Sequence, residues 1–391
     1  MEYANHLSEY APAPSEAQVA EEVARIRAAA KGYETDEVYR LCYSAIDLTT
    51  LSCSDSVESV TAFARKAVEF YTNYPAIANV ASICIYPPFV ETVGLAVDDT
   101  PMRITSVAGG FPSSQTFLEV KMLETAMAVE NGADEIDIVI NVGKMLEGHY
   151  DEVANEVEVL RGEAGEDVVL KVILETGALK TPELIRRAAL LAMFAGADFV
   201  KTSTGKIDVA ATPEAAVVMC RAIRDYYDKT GRMVGFKPAG GVRSAADAVL
   251  YYTVVREILG ERWLTPQFFR IGASSVANAL LSAIVGEPVK YYEPFLPAGQ
   301  GFGAFSCAFS RFGMVRLVAD GALRRGMTIA AADVLSAAAF LGREPNSHSS
   351  EESEAVMELL FVCTVSSRNT PSYGDCRKYL KNGIVRRLSL L

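Results

Sequence analysis

Short apolar runs alternate with longer amphipathic ones through most of this 391-residue chain. Eight of the short runs have the length, Val and Ile content and flanking turn residues of strands. They are Leu41–Leu48, Asn79–Tyr86, Arg103–Val107, Glu135–Val142, Val168–Glu175, Phe199–Ser203, Met233–Lys237 and Phe269–Ala273. Ser15–Lys31, Ser56–Tyr71 and Thr116–Asn131 place apolar residues at helical spacing. Two more helices open on Thr181-Pro182-Glu183 and Thr212-Pro213-Glu214. There threonine suits the cap, proline the first helical position and glutamate the positive end of the dipole. Ser244 with Asp247 three residues on is a variant of the capping box. Eight strands alternating with helices predict parallel pairing through βαβ units, closed as an α/β fold of the (β/α)8 TIM-barrel type. An open, doubly wound sheet is the other topology that alternation allows. The lack of a G-x-G-x-x-G after the first strand counts against its dinucleotide-binding form.

The predicted organisation is an N-terminal segment with a helix over 1–35, the barrel over 36–290 and an extension over 291–391. Past Val289 the pattern changes: Tyr291–Phe312 is rich in Gly and aromatics, and Gly326–Gly342 reads as an alanine-rich helix. An acidic loop, Arg343–Glu354, follows; Met357–Val365 fits helix or strand, and Arg377–Leu391 is basic and irregular. The chain is 50% hydrophobic and 22% charged, as for an ordinary globular protein, and its net charge of −12 argues against nucleic acid or an anionic membrane as partner. No apolar run approaches the ~20 residues of a membrane helix. The first residues lack the basic and apolar regions of a secretory leader. The seven cysteines are odd in number, scattered and free of CxxC pairs, so reduced thiols in a cytoplasmic setting are expected.

Three lysines fall inside predicted strands: Lys171 in VVLKVILE, Lys201 in DFVKTSTG and Lys237 in MVGFKPAGG. Lysine is rarely buried without a partner, because desolvating an ammonium is costly. Both faces of a barrel strand are covered, so a charged side chain there belongs at the C-terminal mouth, where other charges meet it. Asp47 and Asp137 fall at strands 1 and 4 in the same way. For any single member a structural ion pair is the alternative; five converging on one mouth point to a site. A neutral amine is the nucleophile toward a carbonyl. At a pKa of about 10.4 roughly one lysine in 10³ is neutral at pH 7. Burial and a second ammonium nearby both raise that fraction, and an aspartate can shuttle protons. Lysine, lysine and aspartate therefore make a Schiff-base set.

Glycine-bearing turns follow the last three strands: Thr204-Gly205-Lys206, then Pro238 to Arg243 with Gly240 and Gly241, then Gly272 to Ser275. Such turns let backbone N–H groups close on an anion, and the loops after strands 7 and 8 are the usual phosphate site of a barrel. Lys206, Arg243 and two serines strengthen that reading. The three histidines, His6, His149 and His348, lie outside the strands. This disfavours a zinc enzyme and a Ser-His-Asp triad, so no metal site is expected. His149 reads as a solvated loop residue. Cys84 reads as core, with a place in the mouth lining as the alternative.

The motifs DLTTL (47–51), ICIYP (83–87), GADEIDIVI (132–140), LKVILETG (170–177), GADFVKTSTGK (196–206), GFKPAGGVR (235–243) and FRIGASS (269–275) resemble those of the deoxyribose-phosphate aldolases, class I aldolases, in the same order. The resemblance covers about 41–286. It implies a (β/α)8 barrel that reversibly cleaves 2-deoxy-D-ribose 5-phosphate to glyceraldehyde 3-phosphate and acetaldehyde, in deoxyribose phosphate catabolism. It implies Lys201 as the Schiff-base lysine, Lys237 as the neighbouring ammonium and Asp137 as the proton-transferring carboxylate. Asp47 and Lys171 complete the site. Gly205, Lys206, Gly240, Gly241, Val242, Arg243, Gly272, Ser274 and Ser275 match the phosphate loops. No cofactor is implied; the partner is a small phosphosugar, and a homo-oligomer fits. Compact members end soon after the last barrel helix, in some with a terminal tyrosine that folds over the site. Tyr291 and Tyr292 stand near that point, but here about a hundred residues follow. Two alternatives remain at this stage: a Schiff-base barrel acting on another phosphosugar, and a barrel without catalysis whose extension is an interaction module.

Overall fold

In a computed structural model, which describes residues 3–292, a strand forms in each predicted run. They are β1 Ile46–Thr49, β2 Ser82–Ile85, β3 Arg103–Ala108, β4 Glu135–Val139, β5 Val169–Ile173, β6 Phe199–Lys201, β7 Gly235–Lys237 and β8 Ile271–Ala273. All named pairs are parallel, in the order β7-β6-β5-β4-β3-β2-β1-β8. Bridges Phe236–Phe269 and Ala239–Gly272 join β7 to β8 and close the barrel. The open-sheet alternative is thereby set aside. The expected elements beyond Tyr292 lie outside the described residues.

The helices sit where their caps place them. Thr181 Oγ1 accepts the N–H of Leu184 at 3.3 Å and Thr212 Oγ1 that of Ala215 at 3.1 Å, opening helices Pro182–Phe194 and Pro213–Thr230. Ser244 and Asp247 form the reciprocal capping box of helix Ala245–Ile258. The two Gly-Ala-Asp turns, at 132–134 and 196–198, serve one purpose. Gly132 and Gly196 take left-handed φ of 102° and 98° at the ends of helices. The aspartates then accept the N–H of a neighbouring strand, Ile104 for Asp134 (2.8 Å) and Leu170 for Asp198 (2.9 Å).

One run is split. Leu41 to Ser44 is not strand but the last turn of a helix, Asp36–Ser44. Thr35 caps it, Asp36 and Glu37 occupy its first turn, and Val38 and Cys42 bury one face at i, i+4. The apolar stretch is continuous because a buried helix end runs directly into a buried strand. At the amino end, helix Glu16–Ala30 buries Val19, Val23, Ile26 and Ala30. It lies on the outer helices, with Glu22 paired to Arg221 at 2.6 Å and Arg25 to Glu257 at 2.8 Å. Inside the barrel, a Cβ on Gly235 would lie 2.3 Å from the Phe199 ring, so glycine there makes room for an aromatic filler. Among the described residues no helix is long and apolar enough to cross a membrane.

Candidate active site

Strand register puts Asp137 beside Lys171 and Lys201 beside Lys237. Residues that pair laterally on adjacent strands share a face, so all four point into the barrel, where each is almost fully buried. Asp137 is the hub. Its Oδ2 accepts from Lys201 Nζ at 2.7 Å and from Lys237 Nζ at 2.8 Å, and its Oδ1 from Lys171 Nζ at 3.0 Å. Asp47 Oδ2 pairs with Lys237 and stands 3.6 Å from Lys171, while its Oδ1 accepts from Ser82 Oγ at 2.8 Å. The five residues singled out for chemistry thus form one cluster.

Two members were not singled out. Arg270 donates from Nη1 to Asp47 Oδ1 at 2.5 Å and to Glu135 Oε2 at 3.0 Å, and from Nη2 to Glu135 Oε1 at 2.7 Å. Glu135 also meets Lys171 Nζ at 2.5 Å and accepts from Thr105 Oγ1 at 3.0 Å. The signal for Glu135 was present: in EIDIV it shares the face of Asp137. Arg270 stands in FRIGASS just ahead of β8, and only the closed barrel brings it under the lysines.

The buried set therefore holds four cations, Lys171, Lys201, Lys237 and Arg270, against three carboxylates, Asp47, Glu135 and Asp137. Charge balances when one lysine is neutral. Lys171 meets three carboxylates, Lys237 two and Lys201 one. Lys201 is the amine that gives up its proton most readily. Burial pulls its pKa below the ordinary lysine range; Asp137 pulls it back up, and Lys237 pushes it down again, leaving it lowered. Burial acts on Lys237 and Lys171 too, but their extra carboxylates outweigh it and hold both above the usual range. The same cations overcome burial at Asp47, Glu135 and Asp137 and keep all three ionised.

Toward the mouth, a small apolar cluster of Leu51, Cys84 and Val107, with Tyr86 and Phe111 against it, lies apart from the main core. Cys84 is fully buried in this second core cluster, as expected of a core residue, and burial raises its thiol pKa. Thr204 donates its hydroxyl to Glu175 at 2.5 Å, tying the loop after β6 to that after β5. His149 is exposed between Glu147 and Glu152.

The glycine loops converge. Gly205, Gly240 and Gly241 all have left-handed φ (75°, 76° and 80°). A Cβ on Gly240 would lie 3.2 Å from the Gly205 Cα and 2.8 Å from the Ala210 Cβ. Gly240 N–H in turn donates to Gly272 O at 3.3 Å. Ser274 and Ser275 are exposed where helix Ser275–Val285 begins. Lys206 lies on the loop after β6, with Nζ on the carbonyl of Leu51, and Arg243 is exposed. Val242 turns its side chain into the core, so only its backbone is free to face a ligand. Tyr291 and Tyr292 do not join the cluster. Tyr292 Oη pairs with Tyr43 Oη at 3.0 Å, and Tyr291 Oη donates to Lys66 O at 2.9 Å. Among the described residues no group of three His, Cys, Asp or Glu is placed to hold a metal ion.

A closed parallel barrel with a buried lysine–carboxylate cluster at its interior and converging glycine loops beside it defines the class. The pattern of the DeoC/LacD family of aldolases matches residues 42–259. The chain is 44% identical over 248 residues to the deoxyribose-phosphate aldolase of Mus musculus and 42% over 243 residues to that of Homo sapiens, covering 60% of this chain and 76% of each relative. The solved structure of an aldolase called QR15 matches with a TM-score of 0.51 at 27% identity, over 62% of this chain and 97% of that one. This chain belongs to the DeoC/LacD family of aldolases.

Proposed function

We propose that the protein is a Schiff-base aldolase that reversibly cleaves 2-deoxy-D-ribose 5-phosphate to D-glyceraldehyde 3-phosphate and acetaldehyde, in deoxyribose phosphate catabolism. The observation that carries this reading is the excess of one buried cation, with Lys201 the least compensated amine. Its neutral Nζ attacks the C1 aldehyde of the open-chain sugar, and loss of water from the carbinolamine gives a protonated imine. Asp137, one hydrogen bond from Lys201, moves protons at the carbinolamine and takes the proton of the C3 hydroxyl. The C2–C3 bond breaks, its electron pair passes into the imine to give an enamine, and C3 leaves as the aldehyde carbon of glyceraldehyde 3-phosphate. Protonation at C2 and hydrolysis of the imine release acetaldehyde and return the amine.

Lys237 remains charged, bound to Asp47 and Asp137, and disfavours a second ammonium at Lys201. Lys171 and Asp47 fix Asp137 and Lys237 in turn. Gly205, Lys206, Gly240, Gly241, the backbone of Val242, Arg243, Gly272, Ser274 and Ser275 receive the 5-phosphate. The start of helix Ser275–Val285 supplies positive potential to this cradle, and the glycines let the backbone approach closely; the N–H groups of Gly240 and Gly272 themselves donate to the carbonyls of Gly272 and Pro238. The cytoplasm as compartment, a homo-oligomer as assembly and a one-unit barrel over 36–290 belong to the same proposal. The test is turnover of 2-deoxyribose 5-phosphate, alongside a panel of other phosphosugars, by the full chain and by Lys201→Ala. Cleavage by the first and none by the second is expected. Cleavage of a different phosphosugar alone would move the protein to another substrate, and equal rates for the two proteins would remove Lys201 from its role.

A further inference from the structure

Arg270 has no part in the steps above, yet it is 4% exposed and makes three hydrogen bonds to two of the three carboxylates in the barrel. Its Nε donates to the carbonyl of Pro266, and its guanidinium lies 5.8 Å from the Phe199 ring centroid, the filler that Gly235 accommodates. The side chain is therefore held from its own loop, from β6, from the adjacent β1 and from β4 across the barrel. It reaches Lys237 through Asp47, and Lys171 through Asp47 and Glu135; Lys201 lies one carboxylate further, through Asp137. A planar guanidinium suits this task, because its fork fixes two carboxylates at set angles and it keeps its charge at any working pH.

We propose that Arg270 is a positioning residue of the aldolase site, which locks Asp47 and Glu135 beneath the lysines and supplies the fourth buried positive charge that leaves Lys201 without one. The proposal rests on Lys201 being the amine nucleophile. Without Arg270, three lysines face three carboxylates, and full protonation of the lysines becomes the balanced state. Without Glu135, four cations face two carboxylates, and the proton on Lys201 is disfavoured further. The groups that face Lys201 are Asp137, Lys237 and the Cys84 thiol. Those facing Arg270 and Glu135 are Asp47, Lys171 and, from the strand's outer end, Arg103 at 3.6 Å. The two deletions thus act on the same amine with opposite signs, which a loss of packing does not.

The experiment is the pH dependence of kcat/KM on 2-deoxyribose 5-phosphate for the full-length protein and for Arg270→Met, Arg270→Lys and Glu135→Gln, with folding checked by circular dichroism. The acid limb is expected to rise by about one pH unit or more in Arg270→Met, so that the rate on that limb falls about tenfold and recovers in alkali. Arg270→Lys keeps the wild-type limb, and Glu135→Gln moves it downward. Limbs that stay in place, or that move together in the same direction, overturn the proposal. Should Arg270→Met not fold, Glu135→Gln decides alone: a downward limb supports the assignment and an unmoved one overturns it. Borohydride reduction of the wild type with the same substrate separates the two levels. An adduct on Lys201 with unmoved limbs defeats only the role of Arg270; an adduct on another lysine defeats the nucleophile and this proposal together.

Discussion

At the scale of single residues, three lysines of one chemical type come to differ by the number of carboxylates each meets. Lys201 has one, shared with its neighbours, and burial does the rest. Removal of the nearby ammonium is expected to act through that balance. Lys237→Leu lets Lys201 hold its proton, so Schiff-base formation falls at pH 7, by up to about 10³ if the amine returns to its ordinary pKa, and climbs back as pH rises. Rapid-quench rates between pH 6 and 10 check this; a loss equal at all pH values would count against it. The lysines and Asp137 were legible because charge in an apolar strand is rare enough to stand out. Glu135 was hidden in the same strand behind Asp137, as though one carboxylate explained the pattern. Arg270 was hidden because it lies at a strand's entry, where a charged residue is ordinary until pairing of β8 with β1 brings its side chain within reach of Asp47.

At the scale of elements, caps and turns fixed most boundaries in advance. Thr-Pro-Glu and Ser-x-x-Asp start helices where side-chain oxygens meet orphan N–H groups, and those contacts form as expected. The first apolar run holds a turn of helix as well as a strand, because apolar content carries no period when both elements are buried. Strands β2, β4, β5 and β6 end sooner than their apolar runs, and β7 and β8 begin later, since most residues entering or leaving the barrel stay buried beyond the ends of the strands. The loops after β6 and β7 carry a prediction of their own. Gly240→Ala puts a Cβ 2.8 Å from that of Ala210 at a φ of 76°, which displaces the cradle. KM for 2-deoxyribose 5-phosphate is expected to rise at least about tenfold, as for one lost charge-assisted hydrogen bond of ~1.5 kcal/mol or more. Unphosphorylated deoxyribose, which never uses the cradle, is expected to be cleaved at nearly the wild-type rate. Parallel steady-state assays on both sugars decide it, and equal losses would place the phosphate elsewhere.

At the scale of the whole molecule, the cluster links folding to pH. Asp47, Glu135 and Asp137 are held below the unfolded carboxylate value of about 4, so the stability they contribute is complete above roughly pH 5 and is lost as pH falls. Lys171 and Lys237 are raised, so their contribution is present at neutral pH and is lost only in strong alkali. Lys201 has the opposite sign: its lowered value makes the native state disfavour the proton that the unfolded chain accepts. Urea midpoints are therefore expected to drop steeply below about pH 5 and, through Lys201, to climb with pH wherever its amine is neutral in the folded protein and charged in the unfolded one. A midpoint that held to pH 3 would mean the carboxylates are not held below their unfolded value in the folded protein.

The central claim is that Lys201 is the nucleophile, and it is tested most directly by trapping. Borohydride reduction of the protein during turnover of 2-deoxyribose 5-phosphate, followed by mass mapping of its peptides, is predicted to leave one reduced adduct, on Lys201. A folded protein that yields no adduct, or one on Lys171 or Lys237, would contradict the account.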